Sequence, residues 1–277
     1  MSEEIAALQE EVRRLRAQIT AIDNSEIDSF YFSPAAQQDW SQIDSIPAAG
    51  TNASTVKALI ENAHALDFDQ RLNTSSYVNV SFEPEEEAVA LLGLGVNLAD
   101  QTVYPESYKI HDRVVNMLAR LWHCPEPSNF AQTQTFAGAG TVGSTEACLL
   151  AGLALKFRWR VWRAERDGLS HSQVLGIKPN IVISTCYQAA WEKLFKYMDI
   201  EPRLVEPTVD TFKLDPEKVR EAIDENTIAV VCIMGNHYGG QYDAVWDVDG
   251  VVSEVNAQKA FQVGIHVDAA SGGFIAP

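Results

Sequence analysis

The sequence predicts an α/β protein, in which a mostly parallel sheet is covered by helices and preceded by a helical amino-terminal arm. Two patterns support this fold class. From residue 180 onward, short β-branched runs alternate with amphipathic stretches, as in strands joined by crossover helices. Before residue 180, apolar residues recur mainly at helical spacing. The chain can bury a sizeable core, because 46% of its 277 residues are hydrophobic.

Residues 1–23 predict an amphipathic helix. Apolar side chains occupy the a and d positions of a heptad, at Ile5, Leu8, Val12, Leu15, Ile19 and Ile22. In a parallel coiled coil, Glu11 would face Arg16 of a second copy. A helix docked on its own domain would show the same pattern, so both interpretations stay open.

Residues 24–70 predict an arm, because Pro34, Pro47 and Gly50 interrupt any long periodicity. One helix is expected within it, near Ser54 to Leu66. Residues 71–277 predict part of a larger α/β domain.

That domain is expected to begin with helices and continue as alternating units. A helix is predicted from about Lys109 through Val114 to Trp122, and a long one follows Gly143 and runs to Trp162. The predicted strands are Asn180 to Thr185, Glu201 to Val205, Ile228 to Met234 and Gly264 to Asp268, with helices Gln188 to Met198, Pro216 to Ile223 and Val248 to Phe261 between them.

Composition narrows the classes of function. A formal charge of -17 argues against nucleic acid or an anionic membrane as partner. The four cysteines form no CxxC pair, which argues against a zinc site or a disulfide framework. The first residues are acidic without an apolar segment, and no apolar run is long enough to span a bilayer. We therefore expect a cytoplasmic protein.

A glycine-rich stretch, GAGTVGSTE, spans Gly138 to Glu146. It contains GxGxxG, but the preceding QTQTF is too polar for the buried strand that a dinucleotide site needs, and no acidic residue ends the next predicted strand. The stretch instead predicts a turn that opens a helix at Ser144 and Thr145, whose amide groups and hydroxyls suit a phosphate. Alternatively, Ser144 only caps the helix.

A second candidate is Asp268, at the end of the predicted strand in HVDAASGGF. A carboxylate in this position needs a cationic or hydrogen-bonding partner, and a protonated ring nitrogen would serve. The small residues after it, Ala269, Ala270, Gly272 and Gly273, are expected to leave space for a planar ring. Alternatively, Asp268 caps the following turn. A phosphate site and a carboxylate for a ring nitrogen match the two ends of pyridoxal 5'-phosphate.

Three segments resemble the pyridoxal-phosphate-dependent group II decarboxylases, and among them the glutamate decarboxylases: RLNTSSYVNVSF, GTVGSTEACLLAGLALKFRWR and HVDAASGGFIAP. The resemblance runs from about Arg71 to the end. It implies a fold-type I large domain, pyridoxal phosphate as cofactor, a homodimer or higher homo-oligomer, and decarboxylation of L-glutamate to 4-aminobutanoate.

The resemblance also implies roles for cofactor-binding residues. Ser144 and Thr145 match the pair that holds the phosphate, and Gln188 matches the residue stacked over the ring. Asp268 matches the partner of the ring nitrogen, and Ala270 the methyl group beneath the ring. His237 stands where the family members carry threonine, near the phenolic oxygen of the cofactor, and is a catalytic candidate together with Asp268.

For the substrate, Ser76 and Tyr77 match positions that receive the distal carboxylate of glutamate. Asn97 and Asp100 match positions that reach the same pocket from a neighbouring subunit, which would require a dimer. Ser76 replaces the usual threonine and keeps its hydroxyl, whereas Tyr77 replaces phenylalanine and adds one.

The lysine that bonds the cofactor in this family lies downstream of HVDAASGGF, beyond Pro277. Lys193 and Lys259 are predicted on helix surfaces and do not substitute for it. We therefore expect the chain to be a segment of a longer enzyme and inactive alone. Two alternatives stay open: a non-catalytic partner of a full-length decarboxylase, and a decarboxylase for another acidic amino acid.

Overall fold

The computed structural model describes residues 8–18, 46, 50, 52–67, 72 and 82–276. The chain divides into two compact units, Met1–Thr74 with Asn79–Ser81, and Ser75–Val78 with Phe82–Pro277.

The first unit contains two described helices. Helix α1 covers residues 8–18, and its apolar side chains Leu8, Val12 and Leu15 are exposed. The other heptad positions lie outside the described residues. Helix α2, Ala53–His64, confirms the helix expected in the arm, and it begins where the Asn52 side chain accepts a hydrogen bond from the Ser54 amide at 3.0 Å.

The second unit begins with five helices and a 3-10 turn within its described part. They are α3 (Pro84–Leu92), the turn Gly93–Gly95, α4 (Pro105–Leu121), α5 (Phe130–Thr133), α6 (Ser144–Asp167) and α7 (His171–Leu175). The two long helices, α4 and α6, confirm the helices predicted before the sheet. Helix α4 starts earlier than predicted because Pro105 suits its first turn. Helix α6 ends at Gly168, which adopts a left-handed φ of 63°.

The alternating part forms a four-stranded parallel sheet in the order β2-β1-β3-β4. Its strands are β1 (Asn180–Ser184), β2 (Glu201–Val205), β3 (Thr227–Ile233) and β4 (Gly264–Asp268), joined by α8 (Ala190–Tyr197), α9 (Pro216–Ala222) and α10 (Val245–Lys259). This confirms the predicted fold class. Strands β1 and β3 are buried along their whole length, as expected inside a parallel sheet.

Two apolar clusters cover the two faces of the sheet. Helices α6 and α8 contribute Trp159, Trp191 and Leu194 to one cluster, together with the strand residues Ile181 and Ile183. Helices α9 and α10 pack on the other face, against the alternate residues of the same strands. The sheet is therefore fixed on both sides, which leaves the ends of its strands to form a site.

No helix in the described part of the chain is long and apolar enough to cross a membrane. The four cysteines are free thiols.

Candidate active site

A cavity of about 310 Å³ lies where the carboxyl ends of β3 and β4 meet the amino end of α6, and we call it the strand-end cavity. Ligands of parallel sheets bind at such strand ends. Its lining residues are Ser144, Cys148, Gln188, Ala190, Ile233, Gly235, His237, Asp268, Ala270 and Ser271. Five of them, Ser144, Gln188, His237, Asp268 and Ala270, are predicted from the sequence, so the fold brings most of the cofactor candidates together.

Asp268 is the last residue of β4 and pairs in register with Ile233 of β3. Its Oδ2 accepts a hydrogen bond from the indole Nε1 of Trp191 at 2.9 Å, and its Oδ1 accepts a longer one from the Ala270 amide at 3.4 Å. No lysine or arginine in the described part of the chain forms an ion pair with this carboxylate. The negative charge is therefore held by neutral donors and remains available to a cation in the cavity.

The Ala270 hydrogen bond shows that Asp268 also contacts the turn that follows it, as the alternative interpretation proposes. That hydrogen bond is long, however, and Asp268 also lines the strand-end cavity. The turn therefore does not account for the whole environment of the carboxylate.

His266 lies two residues before Asp268 on β4, and its ring meets the Trp191 indole edge-on, with centroids 5.2 Å apart. Burial lowers the pKa of His266, while the nearby Asp268 charge acts in the opposite direction. The imidazole is therefore harder to protonate than a solvent-exposed histidine, and it packs against the indole. His266 therefore supports the side chains around Asp268.

Cys148 lies on the second turn of α6 and contributes a thiol to the strand-end cavity. Burial raises its pKa to about 12, and the Asp268 charge adds to the effect. The raised pKa favours the neutral thiol at physiological pH, whereas the thiolate is the nucleophilic form of cysteine.

The amino end of α6 supplies the other end of the cavity. Gly143 is the N-cap, so Ser144 is the first helical residue and its side chain does not cap the helix. The preceding loop is anchored by the Gly140 amide, which donates to His111 Nε2 of α4 at 2.8 Å. Ser144 lines the cavity, whereas Thr145 does not. The positive end of the helix and the Ser144 hydroxyl together suit an anionic group.

The glycines after Asp268 are closely packed. Gly272 and Gly273 are buried, and a Cβ at Gly272 would lie 2.6 Å from the Met234 carbonyl oxygen. Gly235, with φ of 85°, sits against the same turn, since its Cβ would lie 3.0 Å from the Gly272 amide nitrogen. These glycines let two turns pack backbone against backbone. The expectation that the small residues of this turn leave space for a ring stays a prediction; Ala270 lines the cavity alongside Ser271, whereas these glycines do not.

A buried carboxylate that the sequence analysis missed, Asp243, fixes the end of β3. Its two oxygens accept hydrogen bonds from the amides of Leu214 and Ile233, both at 2.7 Å. Burial raises the pKa of Asp243 although both amides act in the opposite direction. The aspartate ties the loop before α9 to the strand that carries the cavity-lining Ile233.

Two further predicted residues lie at the rim formed by the loops. The side-chain oxygen of Gln188 accepts a hydrogen bond from the Ala190 amide at 2.6 Å, and α8 begins at Ala190 rather than at Gln188 as predicted. The His237 ring lies 4.0 Å from the Tyr238 ring, centroid to centroid. Both Gln188 and His237 face the strand-end cavity.

None of the predicted substrate residues that the structure describes lines the strand-end cavity, unlike most of the cofactor candidates. Ser76 and Tyr77 lie outside the described residues. Asn97 and Asp100 lie in an exposed turn, where their side chains accept hydrogen bonds from nearby groups of the turn. The hydrogen bond from the Thr102 side chain lowers the pKa of Asp100. Neither residue lines the strand-end cavity of its own chain.

Comparison with known proteins gives the family. The pyridoxal-dependent decarboxylase conserved domain matches residues 53–277, and the chain belongs to this family. It is 41% identical over 219 residues to glutamate decarboxylase of Lactococcus lactis subsp. cremoris, covering 79% of this chain and 45% of that protein. It is 40% identical to glutamate decarboxylase beta of Listeria innocua over 207 residues, covering 75% of this chain and 42% of that protein.

The fold of the chain is also similar to that of a solved glutamate decarboxylase. The chain superimposes on a glutamate decarboxylase of Lactobacillus brevis with a TM-score of 0.76 and 37% identity, over 88% of this chain and 53% of that one. The chain thus spans about half the length of the relatives it matches. The fold-type I architecture predicted from the sequence is confirmed, and the cofactor of the family is pyridoxal phosphate.

The residues at the strand-end cavity fit this cofactor. The Asp268 carboxylate, which pairs with no lysine or arginine among the described residues, suits a protonated ring nitrogen. A helix amino end with a hydroxyl suits a phosphate. The volume of about 310 Å³ is in the range of small-molecule sites. No group of three or more histidine, cysteine or acidic side chains in the described part of the chain is placed to hold a metal ion.

Proposed function

We propose that this chain forms the cofactor-binding part of a decarboxylase that converts L-glutamate to 4-aminobutanoate and carbon dioxide. The observation that carries the proposal is the strand-end cavity, where Asp268 and Ser144 present a carboxylate and a helix amino end to one space. The glutamate decarboxylases to which the chain is similar support the choice of substrate.

Pyridoxal phosphate, when bound, supplies a protonated ring that withdraws the electron pair left by departing carbon dioxide. Asp268 would hold the proton on the ring nitrogen, since no lysine or arginine among the described residues pairs with its carboxylate. Ser144 and the first turn of α6 would hold the phosphate, with Thr145 as a further ligand. Gln188 and Ala270 would hold the ring, and His237 would supply a hydrogen bond to the phenolic oxygen.

The substrate pocket is proposed to be shared between two copies of the chain. Ser76 and Tyr77 receive the distal carboxylate, and Asn97 and Asp100 reach the pocket from the second copy. The exposed position of the turn that carries Asn97 and Asp100 supports this arrangement. We propose a cytoplasmic homodimer or higher homo-oligomer, in which residues 1–23 and 24–70 form a helix and an arm ahead of the large domain.

A second candidate substrate is another acidic amino acid. His237 lines the strand-end cavity at a position where the related enzymes of the resemblance carry threonine, and an imidazole is bulkier than a threonine side chain. A shorter substrate, such as aspartate or cysteine sulfinate, would leave more room beside it.

The test uses the full-length protein loaded with pyridoxal phosphate. L-glutamate, L-aspartate and L-cysteine sulfinate are supplied separately, and carbon dioxide and the amine product are measured. We expect glutamate to give the highest kcat/KM. Preference for a shorter substrate would overturn the glutamate assignment, and no carbon dioxide from any of the three would overturn the decarboxylase assignment.

The role of Asp268 is tested in the same assay. We expect Asp268→Asn to lower kcat by about a hundredfold or more, because a preorganised charge is removed from the ring nitrogen. The matched control is Asp249→Asn, which makes the same chemical change on the exposed surface of α10. Equal activity of the two variants would remove Asp268 from the mechanism.

A further inference from the structure

The sequence does not reveal that the Trp191 indole donates a hydrogen bond to Asp268, the carboxylate of the strand-end cavity. Trp191 lies in the first turn of α8 and is 0% exposed. Its Nε1–H donates to Asp268 Oδ2 at 2.9 Å, although the two residues are 77 positions apart in the chain. The contact therefore joins a helix on one face of the sheet to the carboxyl end of β4.

The geometry around the indole restricts its movement. The surrounding core cluster includes Leu194 and Trp159, both buried, and His266 meets the indole edge at 5.2 Å between ring centroids. A side chain held in this way keeps its N–H in one direction. The carboxylate that accepts this N–H is held in orientation as well.

The two oxygens of Asp268 are consequently not equivalent. Oδ2 is occupied by the indole at 2.9 Å, whereas Oδ1 has only the 3.4 Å contact with the Ala270 amide among the described residues. Oδ1 is thus the oxygen left for a cation in the strand-end cavity. An indole N–H is a donor only and carries no charge, so it orients the carboxylate without cancelling its charge.

We propose that Trp191 is a positioning residue, which orients Asp268 so that Oδ1 meets the ring nitrogen of the cofactor. The inference rests on the proposed function, because it assumes that Asp268 binds this nitrogen. It adds a residue that acts through Asp268 rather than by touching the cofactor.

The test compares two ligands of the full-length apoprotein: pyridoxal phosphate and its carbocyclic analogue, in which C–H replaces the ring nitrogen. Dissociation constants are measured by fluorescence titration. The wild type should prefer pyridoxal phosphate, because only this ligand can bond Asp268. In Trp191→Phe, which keeps an aromatic ring against His266, we expect that preference to fall about tenfold, in line with the loss of a hydrogen bond to a charged group. Affinity for the analogue should change little.

Trp159→Phe is the matched control. Trp159 is another buried tryptophan of the same cluster, and its indole donates to the Glu225 carbonyl oxygen at 3.0 Å, not to Asp268. It should lose stability to a comparable extent and keep the wild-type preference between the ligands. An equal change of preference in both variants would mean that Trp191 acts only through core packing, and the proposal would be wrong.

A second variant keeps the test decisive if Trp191→Phe does not fold. Benzothienylalanine at position 191 retains the shape of the indole and replaces its N–H with sulfur, and we expect the same fall in preference. If this variant kept the wild-type preference for pyridoxal phosphate over the analogue, the positioning role of Trp191 would be wrong, and the assignment of Asp268 would be unaffected. If the wild type itself bound both ligands equally, the proposed contact of Asp268 with the ring nitrogen would fail instead.

Discussion

Helices α6 and α8 pack closely at Gly152, and a substitution there tests how firmly the frame of the cavity is fixed. A Cβ at Gly152 would overlap Leu194 Cδ1 and lie 3.1 Å from Leu194 Cγ. Leu194 is 0% exposed and cannot move towards solvent. The added methyl group must therefore displace the Leu194 side chain within the core or shift α8, which begins at the cavity-lining Ala190.

The expected magnitude follows from two opposing effects. Overpacking a core of this kind costs about 1–3 kcal/mol. Replacing a helical glycine by alanine gains about 1 kcal/mol. Gly152→Ala should therefore lower the free energy of unfolding by about 0–2 kcal/mol. At Gly250 of α10 a Cβ meets nothing within 4 Å, so Gly250→Ala keeps only the gain.

The assay is urea unfolding of the full-length protein, followed by tryptophan fluorescence. Gly250→Ala should be more stable than Gly152→Ala by about 1–3 kcal/mol. Leu194→Ala removes both contacted carbon atoms, so the double variant Gly152→Ala/Leu194→Ala should lose less stability than the sum of the two single changes. A Gly152→Ala variant as stable as Gly250→Ala, or strict additivity in the double variant, would refute the close packing of α6 and α8.

Two further predictions concern the phosphate end of the cavity and the support of Asp268. Ser144→Ala combined with Thr145→Ala should weaken pyridoxal phosphate binding about tenfold, measured by fluorescence titration, and unchanged affinity would contradict the phosphate assignment. For His266, burial lowers the folded pKa below its ordinary value of 6.5, so its contribution to stability is present above that value and is lost as pH falls towards the folded pKa. His266→Phe, which keeps a ring against Trp191, should therefore lose less stability than the wild type between about pH 7 and about pH 5 in urea unfolding. An equal or steeper loss in the variant would show that His266 does not titrate in this way.

The alternating part of the fold could be predicted because its signals are local. Buried β-branched runs such as that of β3 and amphipathic stretches such as that of α8 show their periods within a few residues. Asp268 and Ser144 were found for the same reason, since each stands at the end of a predicted element. Strand ends differ from prediction by at most one residue, whereas helix ends differ by more: α10 begins at Val245 rather than Val248, and α6 ends at Asp167 rather than Trp162. Contacts at helix ends, such as that of the Gln188 side chain, decide these bounds.

What could not be predicted depends on contacts between distant segments. The sequence does not show that Trp191 reaches Asp268 across 77 positions, or that Asp243 binds the Leu214 amide 29 positions away. Small residues after a strand are ambiguous in the sequence, because they are compatible both with space for a ring and with close backbone packing. Only the fold places Gly272 against the Met234 carbonyl group. The start of helix α3 has a sequence signal that hydrophobic periodicity does not detect. Glu83 and Glu86 form a capping box, and Pro84 is the first helical residue.

The most direct test of the central claim is a crystal structure of the full-length protein with pyridoxal phosphate. We predict that the ring nitrogen lies about 2.7–2.9 Å from Asp268 Oδ1, as in a charge-assisted hydrogen bond. We also predict that the phosphate lies against Ser144 and the first turn of α6. A cofactor bound outside the strand-end cavity, or one whose ring nitrogen does not meet Asp268, would contradict the central claim.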